Sequence, residues 1–322
     1  MNSTSRLARG YAAALLSALI LSITGILIGY LTRTYGLPAL VLAFWRDLFV
    51  MLSLALTLRL IRPALLRVDR RQLPFLLVYG LALSFFNALW TLSVVLNGAA
   101  AATVLVYCST AFTALLGWRL LRERLDWARW LAVAACLGGC VLVAGAYDAE
   151  VWRSNLLAIL TGILSGLFYA VYSLMGRAAA QRGLNPWSTL LYTFGFAACF
   201  LLIYNLLPFK LPGAAINSGD MLWLGDSWAG WGVLLLLAAG PTLAGFGLYN
   251  ISLSFLPSSL ANLILTLEPA FTAVLAYFLL GERLTAVQLG GGLLILGAVV
   301  LLRIREGRLA GRTAVSVESV RI

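Results

Sequence analysis

One stretch of this sequence occurs twice. Residues 102–125, ATVLVYCSTAFTALLGWRLLRERL, align without a gap onto residues 261–284, ANLILTLEPAFTAVLAYFLLGERL, and about half of the aligned positions are identical. Both copies contain Ala-Phe-Thr-Ala and end in Leu-Leu-x-Glu-Arg-Leu. About five apolar segments lead from one copy to the other, and an odd number of membrane crossings reverses the direction of the chain. The sequence therefore predicts two repeats of opposite orientation in a bilayer.

The composition supports a polytopic membrane protein. Of the 322 residues, 62% are hydrophobic and only 11% are charged, far from the values of soluble domains. Apolar runs of about 20 residues can each cross the hydrocarbon core as a helix. We therefore predict an all-α membrane protein whose ten transmembrane helices form two inverted five-helix repeats, residues 1–150 and 151–322, around a central cavity. The predicted spans are about 11–31, 37–60, 74–96, 99–121, 127–146, 154–176, 187–207, 230–254, 257–280 and 285–302.

The placement of the basic residues predicts the topology. The net charge is +11, but with ten spans and a cytoplasmic N-terminus almost every basic residue outside the spans falls on one side. Only Arg33, Arg153, Lys210 and Arg283 fall on the other side. This bias predicts that both termini are cytoplasmic. The positive charge then lies along a membrane surface, so we expect the lipid bilayer and not nucleic acid as its partner.

Three ionisable residues lie within the predicted spans, where charge is costly and usually functional. They are Arg46, Asp47 and Glu268. Arg46 could bind a substrate carboxylate or hold helices together, and Asp47 is most simply its local partner or bonded to backbone. Glu268 precedes Pro269, which predicts a kinked helix with unpaired carbonyl groups. Its carboxylate could bind an ammonium group or a proton, satisfy backbone donors, or pair with Arg46.

Polar side chains form stripes along the third, sixth and eighth predicted spans, beside aromatic residues. Taken singly, such residues often join two helices or lie at the membrane interface. Their placement on helices that the repeat pairs with each other favours a cavity with aromatic walls and uncharged hydrogen-bonding groups, which suits a zwitterion with an apolar side chain. The predicted substrate-binding residues are Asn87, Trp90, Thr91, Tyr107, Tyr169, Tyr172, Tyr249, Asn250, Asn262 and Thr266.

Glycine and proline residues predict where helices bend or approach closely. Motion between states needs a few hinge positions, and the predicted hinges are Gly98, Gly240, Pro241, Pro257 and Pro269. The clustered glycines at 290–292 predict close helix packing. The four cysteines, with no histidine in the chain, favour packing over a metal site, so we predict no metal and no cofactor.

The motifs of the second copy resemble a known transporter module. Glu268 to Ala273, followed by Leu279 to Leu284 and the glycines at 290–292 and 297, resembles the end of the EamA module of the drug/metabolite transporter superfamily. Phe44-Trp45-Arg46 resembles the Arg-bearing second helix of that module. The resemblance covers nearly the whole chain as two five-helix modules. Within the superfamily, the chain is similar to bacterial amino-acid exporters of the YddG type.

This resemblance implies export of amino acids, aromatic ones among them, across the bacterial inner membrane by alternating access. The few intramembrane charges favour transport without obligatory ion coupling, and we expect a monomer. The alternative is an exporter of drugs or other metabolites with the same fold, which could be proton-coupled; a channel is a further rival. We do not expect an enzyme, because the spacing of cysteines and acids offers neither a nucleophile–base pair nor a metal cluster.

Overall fold

The computed structural model of this chain is all-helical in the parts that it describes, residues 3–121, 127–208, 211–253, 255–256, 261 and 264–319. Short 3₁₀ turns at Pro63–Leu66, Arg70–Gln72 and Ser218–Leu222 lie in the connections. The helices are α1 (Ser3–Tyr35), α2 (Ala39–Ile61), α3 (Leu73–Asn97), α4 (Ala99–Val106), α5 (Ser109–Leu121), α6 (Trp127–Val143), α7 (Ala149–Gln181), α8 (Pro186–Leu206), α9 (Trp228–Leu237), α10 (Gly245–Leu253), α11 (Glu268–Leu280) and α12 (Ala286–Ser319).

Within the described residues, seven helical stretches are long and apolar enough to cross a membrane. They are Leu7–Tyr35, Ala39–Ile61, Arg70–Asn97, Ala99–Gly117, Asn155–Gln181, Pro186–Leu206 and Trp228–Tyr249. Three shorter apolar helices, Trp130–Val143, Glu268–Leu280 and Ala286–Leu302, lie where the sequence predicts the fifth, ninth and tenth spans. Large apolar side chains face outward on these helices: Leu60 and Phe278 are each 76% exposed. Such a surface suits contact with lipid.

Helices from the two halves of the chain pack in a reciprocal pattern. In chain order, α7 is the counterpart of α1, α8 of α2, α12 of α6, and α11 with the turn before it of α4 and α5. α1 packs against α10 and α11, while its counterpart α7 packs against α3, α4 and α5. α2 packs against α8, and α6 packs against α12. The contacts of α1 and α7 with the opposite halves are therefore equivalent, and the α2–α8 and α6–α12 contacts each join two counterparts.

The two helices that contain the repeated segment are interrupted at aligned positions. A turn at Tyr107 and Cys108 separates α4 from α5, and a turn at Thr266 and Leu267 precedes α11. The sequence predicted a kinked helix at Pro269, but α11 begins at Glu268, which places Pro269 in the first turn. A proline there disrupts nothing, because the first N–H groups of a helix have no intrahelical acceptor.

A third irregular segment joins α9 to α10. Residues Ala238–Ala244 form a π-helical turn that contains Gly240 and Pro241, two of the predicted hinges. The Thr242 hydroxyl donates to the Leu237 carbonyl at 3.2 Å, five residues back. Turns of this kind are frequent at functional sites in helical proteins. The predicted hinge at Pro257 lies outside the described residues.

Glycines allow α6 and α12 to approach each other closely. A Cβ atom added at Gly291 would lie 2.7 Å from the Leu142 Cβ atom and 2.8 Å from the Gly139 carbonyl oxygen. A Cβ atom added at Gly139 would meet the Gly291 carbonyl oxygen at 2.7 Å. By contrast, an added Cβ atom at Gly290 would meet none of the described atoms within 4 Å. Of the glycine cluster, Gly291 is therefore the member that this helix contact requires.

Glu282 ties three helices together at one end of the bundle. Its carboxylate accepts hydrogen bonds from the backbone N–H groups of Ala99 at 3.0 Å and Ala100 at 3.1 Å, in the first turn of α4. Arg33, in the last turn of α1, donates to the same carboxylate at 2.5 Å and to the Leu280 carbonyl at 2.8 Å. Gly98, another predicted hinge, precedes α4 with a φ of +83°, and a Cβ atom there would lie 3.0 Å from the carboxylate.

Candidate substrate cavity

A cavity of about 240 Å³ lies between helices of both halves. Its volume is just below the range of about 300–1,000 Å³ that pockets for drug-sized ligands span. The first half contributes side chains from α1 to α5, and the second half contributes them from α7, α8, α10, α11, α12 and the π-helical turn. Both interrupted segments reach the cavity, through Tyr107 and Ser109 in one copy and Thr266 and Glu268 in the other.

The structure brings most of the predicted site residues together. Arg46 and Glu268 both line the cavity. Seven of the ten predicted substrate-binding residues also line it: Asn87, Trp90, Tyr107, Tyr169, Tyr172, Tyr249 and Thr266. Asn262 and the side chain of Asn250 lie outside the described part of the chain.

The prediction that Thr91 lines the cavity is wrong. The side of α3 that faces the cavity consists of Leu83, Phe86, Asn87 and Trp90, spaced as one helix face. Thr91 is one residue further on, turned by about 100° from Trp90, and is fully buried. The predicted polar stripe placed Thr91 on the same helix face as Asn87. In the structure, the face of α3 that lines the cavity is centred on Phe86 and Trp90, with Asn87 at its edge.

Asp47 lies behind the cavity and orients Arg46. The Arg46 Nε atom donates to Asp47 Oδ1 at 3.2 Å, and Asp47 Oδ2 accepts a hydrogen bond from Asn87 Nδ2 at 2.6 Å. Asp47 is fully buried and does not line the cavity. Asp47 is therefore a local partner of Arg46 in the structure, although the side chains of adjacent helical residues point about 100° apart. Buried charges of this kind need such pairing.

Two donors at the cavity wall have no acceptor among the described residues. They are Arg46 Nη2 and Trp90 Nε1, both buried. The guanidinium carbon of Arg46 lies 5.7 Å from the centroid of the Trp90 ring, so the two groups are neighbours. Thr91 Oγ1 is also without a partner in the described part of the chain, but it does not line the cavity.

Glu268 meets the first half of the chain through Tyr107. The Tyr107 hydroxyl lies 3.0 Å from Glu268 Oε2 and 2.9 Å from the carbonyl oxygen of Leu265, the residue just before the turn that precedes α11. Among the described residues, Arg33 forms an ion pair with Glu282 and Arg46 with Asp47. Glu268 therefore has no cationic partner there, and it does not pair with Arg46.

Aromatic rings form one wall of the cavity. The ring centroid of Phe86 lies 5.0 Å from that of Tyr169 and 6.2 Å from that of Trp90, while Tyr169 lies 6.2 Å from Tyr172. These separations are typical of favourable aromatic pairs. Phe194 and Phe246 extend the wall.

Several lining residues were not predicted. Ser109 could have been found, because the repeat alignment pairs it with Glu268. Thr24 of α1 and Thr103 of α4 carried no signal, since isolated threonines are common in membrane helices and no stripe marked them. Among the described residues, no group of three or more His, Cys, Asp or Glu side chains could hold a metal ion.

Comparisons with known proteins agree on a transporter. The sequence profile of the EamA-like transporter family matches residues 8–145 and 156–304. An uncharacterised transporter of Synechocystis is 32% identical over 206 residues, 62% of this chain and 57% of that protein. An uncharacterised transporter of Archaeoglobus fulgidus is 28% identical over 91% of this chain and 95% of its own length. The threonine/homoserine exporter RhtA of Escherichia coli is 29% identical over 74% of this chain and 72% of its own length.

A protein of known crystal structure shares the fold. It superimposes with a TM-score of 0.54 at 19% sequence identity, covering 94% of this chain and 98% of the other. The relatives named above are transporters, not enzymes. The apolar helices and the two profile matches together show that this chain is a multi-pass membrane protein made of two EamA modules, and that it belongs to the EamA-like transporter family.

Proposed function

We propose that this protein exports amino acids, aromatic ones among them, from the bacterial cytoplasm by alternating access. The observation that carries the proposal is a cavity lined by both halves of the chain, in which a cationic side chain, a carboxylate and an aromatic wall face the same space. These three features match the carboxylate, the ammonium group and the side chain of an amino acid. The relative RhtA is named a threonine/homoserine exporter, which supports the same class of cargo.

The proposed architecture is ten membrane crossings in two inverted five-helix repeats, residues 1–150 and 151–322, in the inner membrane. The reciprocal packing of α1 and α7 with the opposite halves supports it. So do the aligned helix breaks, because discontinuous helices at a repeat interface are typical of secondary transporters. Both termini are cytoplasmic in this arrangement. Labelling of single cysteines near each terminus with a membrane-impermeant maleimide tests it: both must be protected in intact cells.

Alternating access then moves the helices around the cavity. The π-helical turn at Ala238–Ala244 and the breaks before α5 and α11 interrupt the regular backbone close to the cavity. Gly240, Pro241 and Pro269 lie in or beside these interruptions, and Gly98 separates α3 from α4. Hinges absorb large changes in φ and ψ at a few positions of this kind. The rest of each helix can therefore move as a rigid body.

Counterflow in proteoliposomes tests the function. Vesicles with purified protein are loaded with unlabelled threonine, homoserine, phenylalanine or tryptophan, and uptake of the labelled amino acid is measured with ionophores that remove all ion gradients. We expect saturable uptake that Ala substitution of Trp90, Tyr249 or Glu268 reduces at least tenfold. Uptake that requires a proton gradient would contradict uncoupled transport, and no uptake of any amino acid under either condition would contradict the cargo.

A second candidate is export of apolar drugs or other metabolites, favoured by the aromatic wall around Phe86 and Tyr169. Such cargo needs the wall but no contact with the polar ends of an amino acid. Competition separates the two candidates, because free amino acids inhibit uptake of a labelled aromatic cation only if they occupy the same cavity.

A further inference from the structure

The unpaired donors on the cavity wall define the chemistry of a ligand that fits the cavity. An arginine side chain and an indole N–H donate hydrogen bonds and accept none. Buried donors of this kind almost always have an acceptor in native structures. Arg46 Nη2 and Trp90 Nε1 have none among the described residues, and both belong to side chains on the cavity wall. A ligand group that matches these two donors is therefore an acceptor, and beside a guanidinium it is best an anion.

Another nitrogen of the Arg46 side chain, Nε, already has a partner. This Nε atom donates to Asp47, which lies behind the cavity and accepts a hydrogen bond from Asn87. These two hydrogen bonds restrict the orientation of the guanidinium and leave Nη2 available. Because Asp47 does not line the cavity, a ligand anion bound to Nη2 does not have to displace it. Asp47 is thus a positioning residue, and Arg46 with Trp90 is the contact surface.

Glu268 requires the opposite kind of partner, a hydrogen-bond donor. Its carboxylate lines the same cavity and contacts the Tyr107 hydroxyl, but no described cation pairs with it. A carboxylate only accepts hydrogen bonds when ionised, so its complement is a donor with positive charge. Arg46 and Glu268 share a cavity without forming an ion pair with each other. The space between them therefore suits a ligand with an anion at one end and a cation at the other.

We propose that Arg46 Nη2 and Trp90 Nε1 together bind the α-carboxylate of the transported amino acid, while Glu268 binds its α-ammonium group. This inference rests on the proposed function and adds the polarity with which the substrate lies in the cavity. According to this inference, tight binding requires both the carboxylate and the ammonium group of the substrate. The aromatic wall then accepts varied side chains, because its contacts are not directional hydrogen bonds.

The test compares ligands that lack one end. Binding of phenylalanine, phenethylamine and 3-phenylpropanoate is measured by calorimetry on the full-length protein in lipid nanodiscs. The variant Trp90→Phe removes the N–H donor but keeps an aromatic ring, and Glu268→Gln removes the charge but keeps the shape. Trp231→Phe and Glu150→Gln are matched controls, since neither residue lines the cavity.

We expect Trp90→Phe to lower the affinity for phenylalanine and for 3-phenylpropanoate about tenfold or more, the loss expected for one charge-assisted hydrogen bond. The same variant should lower the affinity for phenethylamine less than twofold. Glu268→Gln should lower the affinity for phenylalanine and phenethylamine and leave the affinity for 3-phenylpropanoate unchanged. If each variant weakens all three ligands alike, or none, the polarity is wrong while amino-acid binding by the unaltered protein stands. If the unaltered protein binds no amino acid, the proposed function fails and this inference fails with it.

Discussion

Substitutions at Glu282 test which interaction stabilises the contact of this residue with α4 and α1 at one end of the bundle. The Glu282 side chain is only 12% exposed, whereas that of its ion-pair partner Arg33 is 48% exposed. Exposed ion pairs contribute about 0–1 kcal/mol. Hydrogen bonds to charged groups contribute more, about 1.5–3 kcal/mol each. Most of the stabilisation should therefore come from the two backbone N–H groups of α4 and not from the ion pair.

The substitutions Glu282→Ala, Glu282→Gln and Arg33→Gln separate these contributions. Glu282→Ala removes both acceptors of the α4 N–H groups, with an upper limit of about 3–6 kcal/mol from two charge-assisted bonds. Glu282→Gln keeps one acceptor oxygen and loses the favourable charge at a helix N-terminus, about 1.5–4 kcal/mol in total. Arg33→Gln should cost about 1 kcal/mol or less, because solvent screens the pair.

Unfolding in mixed micelles with increasing SDS measures these free energies, with transport activity as a check on folding. The expected order of destabilisation is Glu282→Ala, then Glu282→Gln, then Arg33→Gln. A double-mutant cycle between the two positions should give a coupling energy of about 1 kcal/mol or less. The reasoning is refuted if Arg33→Gln costs as much as Glu282→Gln, since the ion pair would then dominate the helix contact.

Three further predictions concern the framework around the cavity. Gly291→Ala should destabilise the protein by about 1–3 kcal/mol through overpacking against Gly139, whereas Gly290→Ala should change the unfolding free energy by less than about 0.5 kcal/mol; equal effects would contradict the close approach of α6 and α12. Gly98→Ala should lower the free energy of unfolding by about 1–3 kcal/mol, because a residue with a side chain is strained at the φ of +83° that Gly98 adopts. An unchanged thermal midpoint in detergent would argue against that conformation. Asn205→Leu removes buried hydrogen bonds to the Leu40 and Leu201 carbonyls and should cost about 2–4 kcal/mol by SDS unfolding; a neutral result would show that these bonds contribute little.

Much of the candidate cavity followed from the repeated segment and the polar stripes. Pairing the third span with the eighth and the fourth with the ninth identified Trp90, Tyr107, Tyr249 and Thr266, all of which line the cavity. The error at Thr91 has a simple cause. A polar stripe on a helix is defined only to within about one residue, or about 100°, and the packing of neighbouring helices selects which side of it faces inward.

The sequence by itself determined that this is an all-helical membrane chain, that it contains an internal duplication, and that few of its charges lie within the bilayer. Those properties follow from composition and periodicity, which are local. Tertiary structure alone decided that α4 and α5 separate at Tyr107 without a proline, that Asp47 holds Arg46 from behind, and that Glu282 caps α4. Each of these depends on atoms far apart in the chain or on side-chain rotamers, because a buried polar group takes whichever partner the packing brings within hydrogen-bonding distance.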